Sequence, residues 1–228
     1  MTETRASVVW LFDVDGTLIL TDGAAREAFS AAFLAVAGIA DDLSAISFGG
    51  RTDPLILGEL LRSHGLEWEE SIRTRFWRAV HTRMAELLAP GRGRVLPGVN
   101  QVLDAVDAEP CWVPALLTGN NAEMARIKLG HYRLAHRFRF GAYGDDASDR
   151  DALARVAVGR SGVEPRRCIV VGDTELDIRC ARAAGAWVVA VATGARTRDE
   201  LAAHAPDLLL DDLSDPAPMF EFARGLAS

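Results

Sequence analysis

One lysine, Lys128, is all that the 228-residue chain contains, so arginine supplies every other strong positive charge and any chemistry that needs a lysine must use that one. Basic residues are also outnumbered, 25 against 32 acidic ones, and they form no stripe that would follow a nucleic-acid backbone. A nucleic-acid partner is not expected. An anionic small molecule remains compatible with the net charge of −7, because a local site can carry its own cation. The cysteines are few, and Cys111, Cys168 and Cys180 lack metal-type spacing, so buried free thiols in a reducing, cytoplasmic setting are expected. The longest apolar stretch, around 186–192, is far short of the roughly 20 residues a bilayer requires, and no membrane partner is expected. No basic-plus-apolar leader precedes the first apolar run, and the sequence contains no internal repeat or low-complexity segment. The five histidines are scattered without ligand spacing, which suits solvated or packing roles.

What is present is core-forming material, 49% hydrophobic residues, enough for one substantial core and a smaller second unit. Short apolar runs at 8–12, 113–117, 138–142, 169–171, 188–191 and 208–210 lack polar alternation, the pattern of parallel strands buried on both faces. Helix-period segments lie between them. One follows Asn121 and stops at Gly130, another runs from about Asp149 to Gly162, and Thr197 with Glu200 forms a capping-box pattern. This order predicts an α/β fold with a Rossmann-like, doubly wound parallel sheet. Between Leu20 and about Arg94 the rhythm changes to helix-period stretches at 24–37, 54–63 and 68–88, with Asp53 before Pro54 as a helix start and Gly65 as its stop. A small helical cap at 21–93 inserted into a core of 1–20 and 94–228 is therefore expected. Gly91-Arg92-Gly93-Arg94 and Pro97-Gly98 mark the return to the core.

Three strand ends carry candidate chemistry. The first run is apolar up to Phe12 and then presents Asp13-Val14-Asp15-Gly16-Thr17. In extended backbone the two aspartates share a face, where their repulsion calls for a cation or a shared proton; an Asp-Gly turn also suits the pattern. The run 169–171 leads into Gly172-Asp173-Thr174 and then Asp177, oxygen ligands of the kind a hard cation such as Mg²⁺ takes, and equally good helix N-terminal residues. Leu117-Thr118-Gly119-Asn120 places a hydroxyl and backbone amides before a helix, a pattern suited to phosphate oxygens or to an ordinary strand-to-helix turn.

With these motifs the chain resembles the haloacid dehalogenase-like hydrolase superfamily, in the branch with a helical cap inserted after the first strand. The likeness implies a Mg²⁺-dependent phosphatase acting on a small phosphorylated metabolite through an aspartyl-phosphate. By the same likeness Asp13 is the nucleophile and a metal ligand, Asp15 the general acid and base whose carbonyl also meets the metal, and Asp173 and Asp177 complete the metal site. Thr118, Gly119 and Asn120 bind the phosphoryl group, with Thr17 beside them. The cap loop 48–53 is expected to face the site and offer Arg51 to an anionic part of the substrate, and a plain loop with a helix-capping Asp53 fits the same residues equally well. One departure stands out: the family's third motif is a lysine near the helix after the third strand, and the segment 144–151 has none. Arg150 is the first candidate to replace it and Lys128 the second, although arginine is bulkier and planar, and an arginine at this helix N-terminus also suits a pairing with Asp149 or Asp146. A phosphosugar mutase, a dehalogenase or a catalytically silent metal-binding module would use the same scaffold.

Overall fold

Residues 8–88 and 91–227 are described by the computed structural model. Strand β1 (Val8–Phe12) lies at the centre of a six-stranded parallel sheet with β4 (Trp112–Leu117), β5 (Gly141–Ala142), β6 (Cys168–Gly172), β7 (Trp187–Val191) and β8 (Leu208–Leu210), in the order β5-β4-β1-β6-β7-β8. All five residues of β1 are fully buried because alternate side chains enter different cores. Val8, Trp10 and Phe12 pack towards α4 (Val99–Ala108) and α9 (Ala217–Ala227), whereas Val9 and Leu11 pack towards α6 (Arg150–Ser161) and α7 (Glu175–Ala183). The chain fills one side of β1 with β4 and β5 and then crosses to the other for β6, β7 and β8. Open sheets of this kind hold ligands at that reversal, outside the carboxyl ends of the strands.

Five of the six strand runs are present within a residue or so at each end, while the expected 138–142 strand is only two residues long. Its limit is set by the neighbouring strand. Leu116 and Thr118 donate to the carbonyls of Phe140 and Ala142, but the equivalent position two residues earlier is Pro114, which has no N–H to extend the ladder. Two short strands escaped the sequence pattern: β2 (Ile19–Leu20) and β3 (Arg94–Val95) pair antiparallel where the chain leaves and re-enters the sheet layer. Two residues are too few to display a period.

Between β2 and β3, helices α1 (Ala24–Ala37), α2 (Asp53–Ser63) and α3 (Glu70–Leu87) form the cap around an apolar cluster of their own. Phe29 meets Phe76 and Trp77 edge-on at 5.6 Å, and Met124 of α5 (Ala122–His131) joins the cluster from the core side. The remaining helix, α8 (Arg198–Ala203), carries the expected capping box of Thr197 and Glu200. Among the described residues no helix is long and apolar enough to cross a membrane; the leader expectation concerns residues outside them. Cys168 and Cys180 are buried free thiols.

Candidate active site

The β1 backbone runs one residue beyond its last strand position, Asp13 N–H donating to Val171 O at 2.9 Å, which carries the Asp13 carboxylate to the crevice. The chain then turns at Gly16, whose φ of +83° suits glycine, and a Cβ there would lie 2.4 Å from Asp173 Oδ2. From the opposite side a Cβ on Gly194 would come within 1.6 Å of the same oxygen. Two glycines thus make a slot that holds Asp173 against Asp13. Asp13, Asp173 and Asp177 are all buried, and each has an oxygen within 4.8 Å of the others.

Three buried carboxylates so close require positive charge. Burial pushes the Asp13 carboxyl from its ordinary 3.8 up to about 7, with Asp177 adding to the rise and Arg150 opposing it. Burial also holds Asp173 well above its ordinary value, with Asp177 and Asp13 contributing. Arg150 answers part of this charge: it is buried, its Nη2 lies 2.9 Å from Asp13 Oδ1, and it also donates to Asp177 Oδ1. Asp177 Oδ2 accepts from the Thr174 N–H at 3.1 Å and hydroxyl at 2.7 Å, closing a capping box on α7. With its oxygens so engaged, Asp177 is placed to support the cluster. Asp13 and Asp173, on the cavity wall, fit a hard divalent cation.

Arg150 and Lys128 do not compete for one place. Arg150 reaches Asp13 and Asp177 rather than its sequence neighbours Asp146 or Asp149, and Asp149 instead caps α6 through the Ala152 N–H. Lys128, from α5, sits 2.9 and 2.7 Å from the two carboxylate oxygens of Asp15 and 2.6 Å from Asn120 Oδ1. Its early position in the sequence argues against it only until α5 is seen to pass beneath the cavity.

Thr118, Gly119 and Asn120 line that cavity, with the Asn120 N–H turned back to Thr118 Oγ1 at 3.2 Å. Thr17 does not reach the wall; it is buried behind the turn, and its hydroxyl has no hydrogen-bond partner among the described residues. Arg51 lines the cavity, but its charge is matched by Glu59 and it donates to Ser47 O at 3.3 Å. Arg26, which sequence reasoning passed over, also faces the cavity; its guanidinium lies 4.8 Å from the centre of the Phe48 ring and donates to the Leu43 carbonyl. Being only an arginine early in an amphipathic helix, it gave no signal.

The other missed residue is Asp53. It does not cap α2, since Thr52 is the N-cap and accepts from the Leu55 N–H at 3.4 Å. Asp53 instead fastens the cap to the core, with its N–H on Gly119 O at 2.7 Å and its Oδ2 accepting from the Asn121 N–H at 2.8 Å. Burial raises its carboxyl to about 7, and Lys128 works against that rise. A Cβ on Gly119 would lie 2.1 Å from Arg51 O, so the latch depends on a bare glycine. Gly119→Ala is expected to lift the cap loop and lower turnover by about 100-fold, as small displacements of positioning groups do. Steady-state kinetics beside a thermal melt check this, and unchanged kcat/KM would show that the close approach is dispensable.

The cavity encloses about 460 Å³ between the strand ends and the cap, with Asp13, Asp15, Thr118 and Asp173 on the sheet side and Arg26, Phe48 and Arg51 on the cap side. A Rossmann-like sheet with aspartates at two adjacent strand ends beneath a helical cap defines a hydrolase class. The chain belongs to the haloacid dehalogenase-like hydrolase family, whose model matches residues 10–182, and a second, HAD-hydrolase-like model matches residues 150–216. It is similar to a phosphoglycolate phosphatase of Agrobacterium fabrum, with 29% identity over 97% of this chain and 96% of that protein. In structure it is similar to a hydrolase from Pseudomonas syringae at a TM-score of 0.72 and 22% identity, covering 94% of this chain and 98% of that one. It is also similar to a CbbY mutant from Rhodobacter sphaeroides in complex with xylulose-(1,5)bisphosphate, at a TM-score of 0.69 and 25% identity, covering 91% and 95% of the two chains.

Proposed function

We propose that this chain is a Mg²⁺-dependent phosphatase that hydrolyses a small phosphate monoester through an aspartyl-phosphate on Asp13. The observation that carries the reading is the Asp13 carboxylate, held by Arg150 at the floor of a capped cavity with Asp15 and Thr118 beside it. In the first half-reaction an Asp13 oxygen attacks phosphorus, the bond to the leaving oxygen breaks, and Asp15 gives that oxygen a proton. In the second, Asp15 takes a proton from water, whose oxygen bonds to phosphorus as the bond to Asp13 breaks. The Thr118 hydroxyl and the Gly119–Asn120 turn hold the phosphoryl oxygens. Asp13 and Asp173, with the Asp15 carbonyl, would hold the Mg²⁺, and Asp177 would support them. A bound Mg²⁺ supplies charge that offsets the phosphate as a carboxylate approaches it.

The relatives' names suggest substrates with a second anionic group, and the cap side of the cavity agrees. Arg26 donates to the Leu43 carbonyl and lies over the Phe48 ring, with Asp42 as a charged neighbour, whereas Arg51 is paired directly with Glu59. Arg26 is therefore the better placed to meet a substrate carboxylate or second phosphate. Arg26→Met should raise KM for a phosphorylated carboxylic acid about tenfold and leave KM for an uncharged-tail ester within about twofold, given the typical worth of one charge-assisted hydrogen bond. Equal changes for both esters would remove Arg26 from substrate recognition. The buried free thiols of Cys168 and Cys180 support a reducing, cytoplasmic setting.

The test of the main reading is phosphate release from a panel of esters with and without Mg²⁺, combined with acid quenching and peptide mapping of the phosphorylated enzyme. Phosphate on Asp13 and metal-dependent release are expected. A phosphoryl group on another residue, a rearranged sugar phosphate as product, or no turnover of any ester would overturn it.

A further inference from the structure

Lys128 has no assigned part in the reaction just proposed, yet it is the chain's only lysine and its side chain is 2% exposed. Its three donors are all placed, at 2.9 and 2.7 Å from the Asp15 oxygens and 2.6 Å from Asn120 Oδ1. Asn120 completes the arrangement, its Nδ2 lying 2.8 Å from Asp15 Oδ2 and 2.8 Å from Thr118 Oγ1. Asp15 itself is 40% exposed on the cavity side, so without these contacts its side chain would have open space in which to turn. Among the described residues, the hydrogen bonds to its carboxylate come from Lys128 and Asn120 alone.

We propose that Lys128, together with Asn120, is a positioning residue that holds the Asp15 carboxylate in one orientation, aimed at the leaving oxygen. The inference rests on the phosphatase reading above. On it, the two cations divide the work that one lysine was expected to do: Arg150 holds the aspartate that attacks phosphorus, and Lys128 holds the aspartate that moves the proton. The proton given to the leaving oxygen comes from Asp15 and is replaced from the attacking water. With its donors occupied, Lys128 is not the phosphate ligand. Its removal should therefore harm only the proton transfer.

Esters with different leaving groups separate that effect from general damage. An alkyl phosphate expels a basic alkoxide and needs the proton, whereas 2,4-dinitrophenyl phosphate expels a stable phenolate and does not. The parameter to compare is kcat/KM, which covers steps only up to formation of the aspartyl-phosphate. Lys128→Met is expected to lower kcat/KM for the alkyl ester about 100-fold and for the dinitrophenyl ester less than about threefold, the range of a misplaced general acid. Lys128→Arg should recover part of the alkyl-ester rate. Equal losses on both esters would make Lys128 a structural or phosphate-binding residue and overturn the proposal, as would no loss on either. Should the Met variant fail to fold, Lys128→Gln takes its place in the same comparison with the same expected split. Failure of the underlying reading looks different: wild-type enzyme that turns over neither ester, or Asp13→Asn that keeps full activity, sinks the phosphatase assignment before Lys128 is examined.

Discussion

Asp13→Asn is expected to lower turnover by about 10⁴-fold or more while the protein folds normally, the scale on which loss of a nucleophile acts. The amide has nearly the shape of the carboxylate, and its oxygen can still accept the hydrogen bond that Arg150 gives at 2.9 Å. What it lacks is the nucleophilic oxygen. The substitution also removes a charge that the folded chain accommodates poorly, since burial pushes the Asp13 carboxyl up to about 7. The metal-free variant should therefore melt higher than wild type at pH 8, and the two should converge near pH 4. Single-turnover phosphate release and thermal melts at both pH values check the pair of claims. Turnover within about tenfold of wild type would displace Asp13 as nucleophile, because the amide keeps the shape of the site and lacks only the attacking carboxylate. A melting point unchanged at pH 8 would instead mean that the carboxylate is better solvated than its burial implies.

The parts of this site that were legible in the sequence are those encoded locally. Asp13 and Asp15 follow an apolar run directly, Asp173 follows another, and Thr118 a third, so recognising the strands recognises the residues at their ends. The sheet order then brings β4, β1 and β6 side by side, and the motifs meet. Contacts set by helix docking were not legible in the same way. Lys128 and Asp15 are 113 residues apart, and nothing near Lys128 in the sequence marks it as facing the cavity rather than the cap. Asp53 illustrates the limit from the other direction. Its position before Pro54 suits a helix start, and α2 does begin there, but the carboxylate turns to Asn121 on the core because Gly119 lets the cap loop approach. Arg150 lay between the extremes: its place before α6 was readable, and its choice of Asp13 and Asp177 over nearer acids follows from their burial, where an unpaired charge costs most.

Metal binding should be coupled to pH in a direction the carboxylate cluster fixes. In metal-free protein the Asp13 carboxyl is raised from 3.8 to about 7 and Asp173 is raised well above its ordinary value, both chiefly by burial. The folded chain keeps these protons at pH values where the unfolded chain has released them. Their contribution to stability is full below about pH 4, declines as pH rises, and is lost for Asp13 once pH passes about 7. For Asp13 alone the change is on the order of 4 kcal/mol, an upper figure because the buried cluster titrates together. A divalent cation held by Asp13 and Asp173 favours the ionised forms and so reverses the trend. Saturating Mg²⁺ should therefore raise the melting temperature more at pH 8 than at pH 5, where it must first displace protons. At 100 times its dissociation constant a ligand stabilises by about 2.7 kcal/mol, which corresponds to roughly 5–11 °C in a chain of this size. Asp173→Asn, which leaves Asp13 in place, should abolish most of the shift at both pH values. Thermal melts with and without Mg²⁺ decide the matter without any substrate. An equal shift at pH 5 and pH 8, or one that survives Asp173→Asn, would place the cation somewhere other than between these two carboxylates.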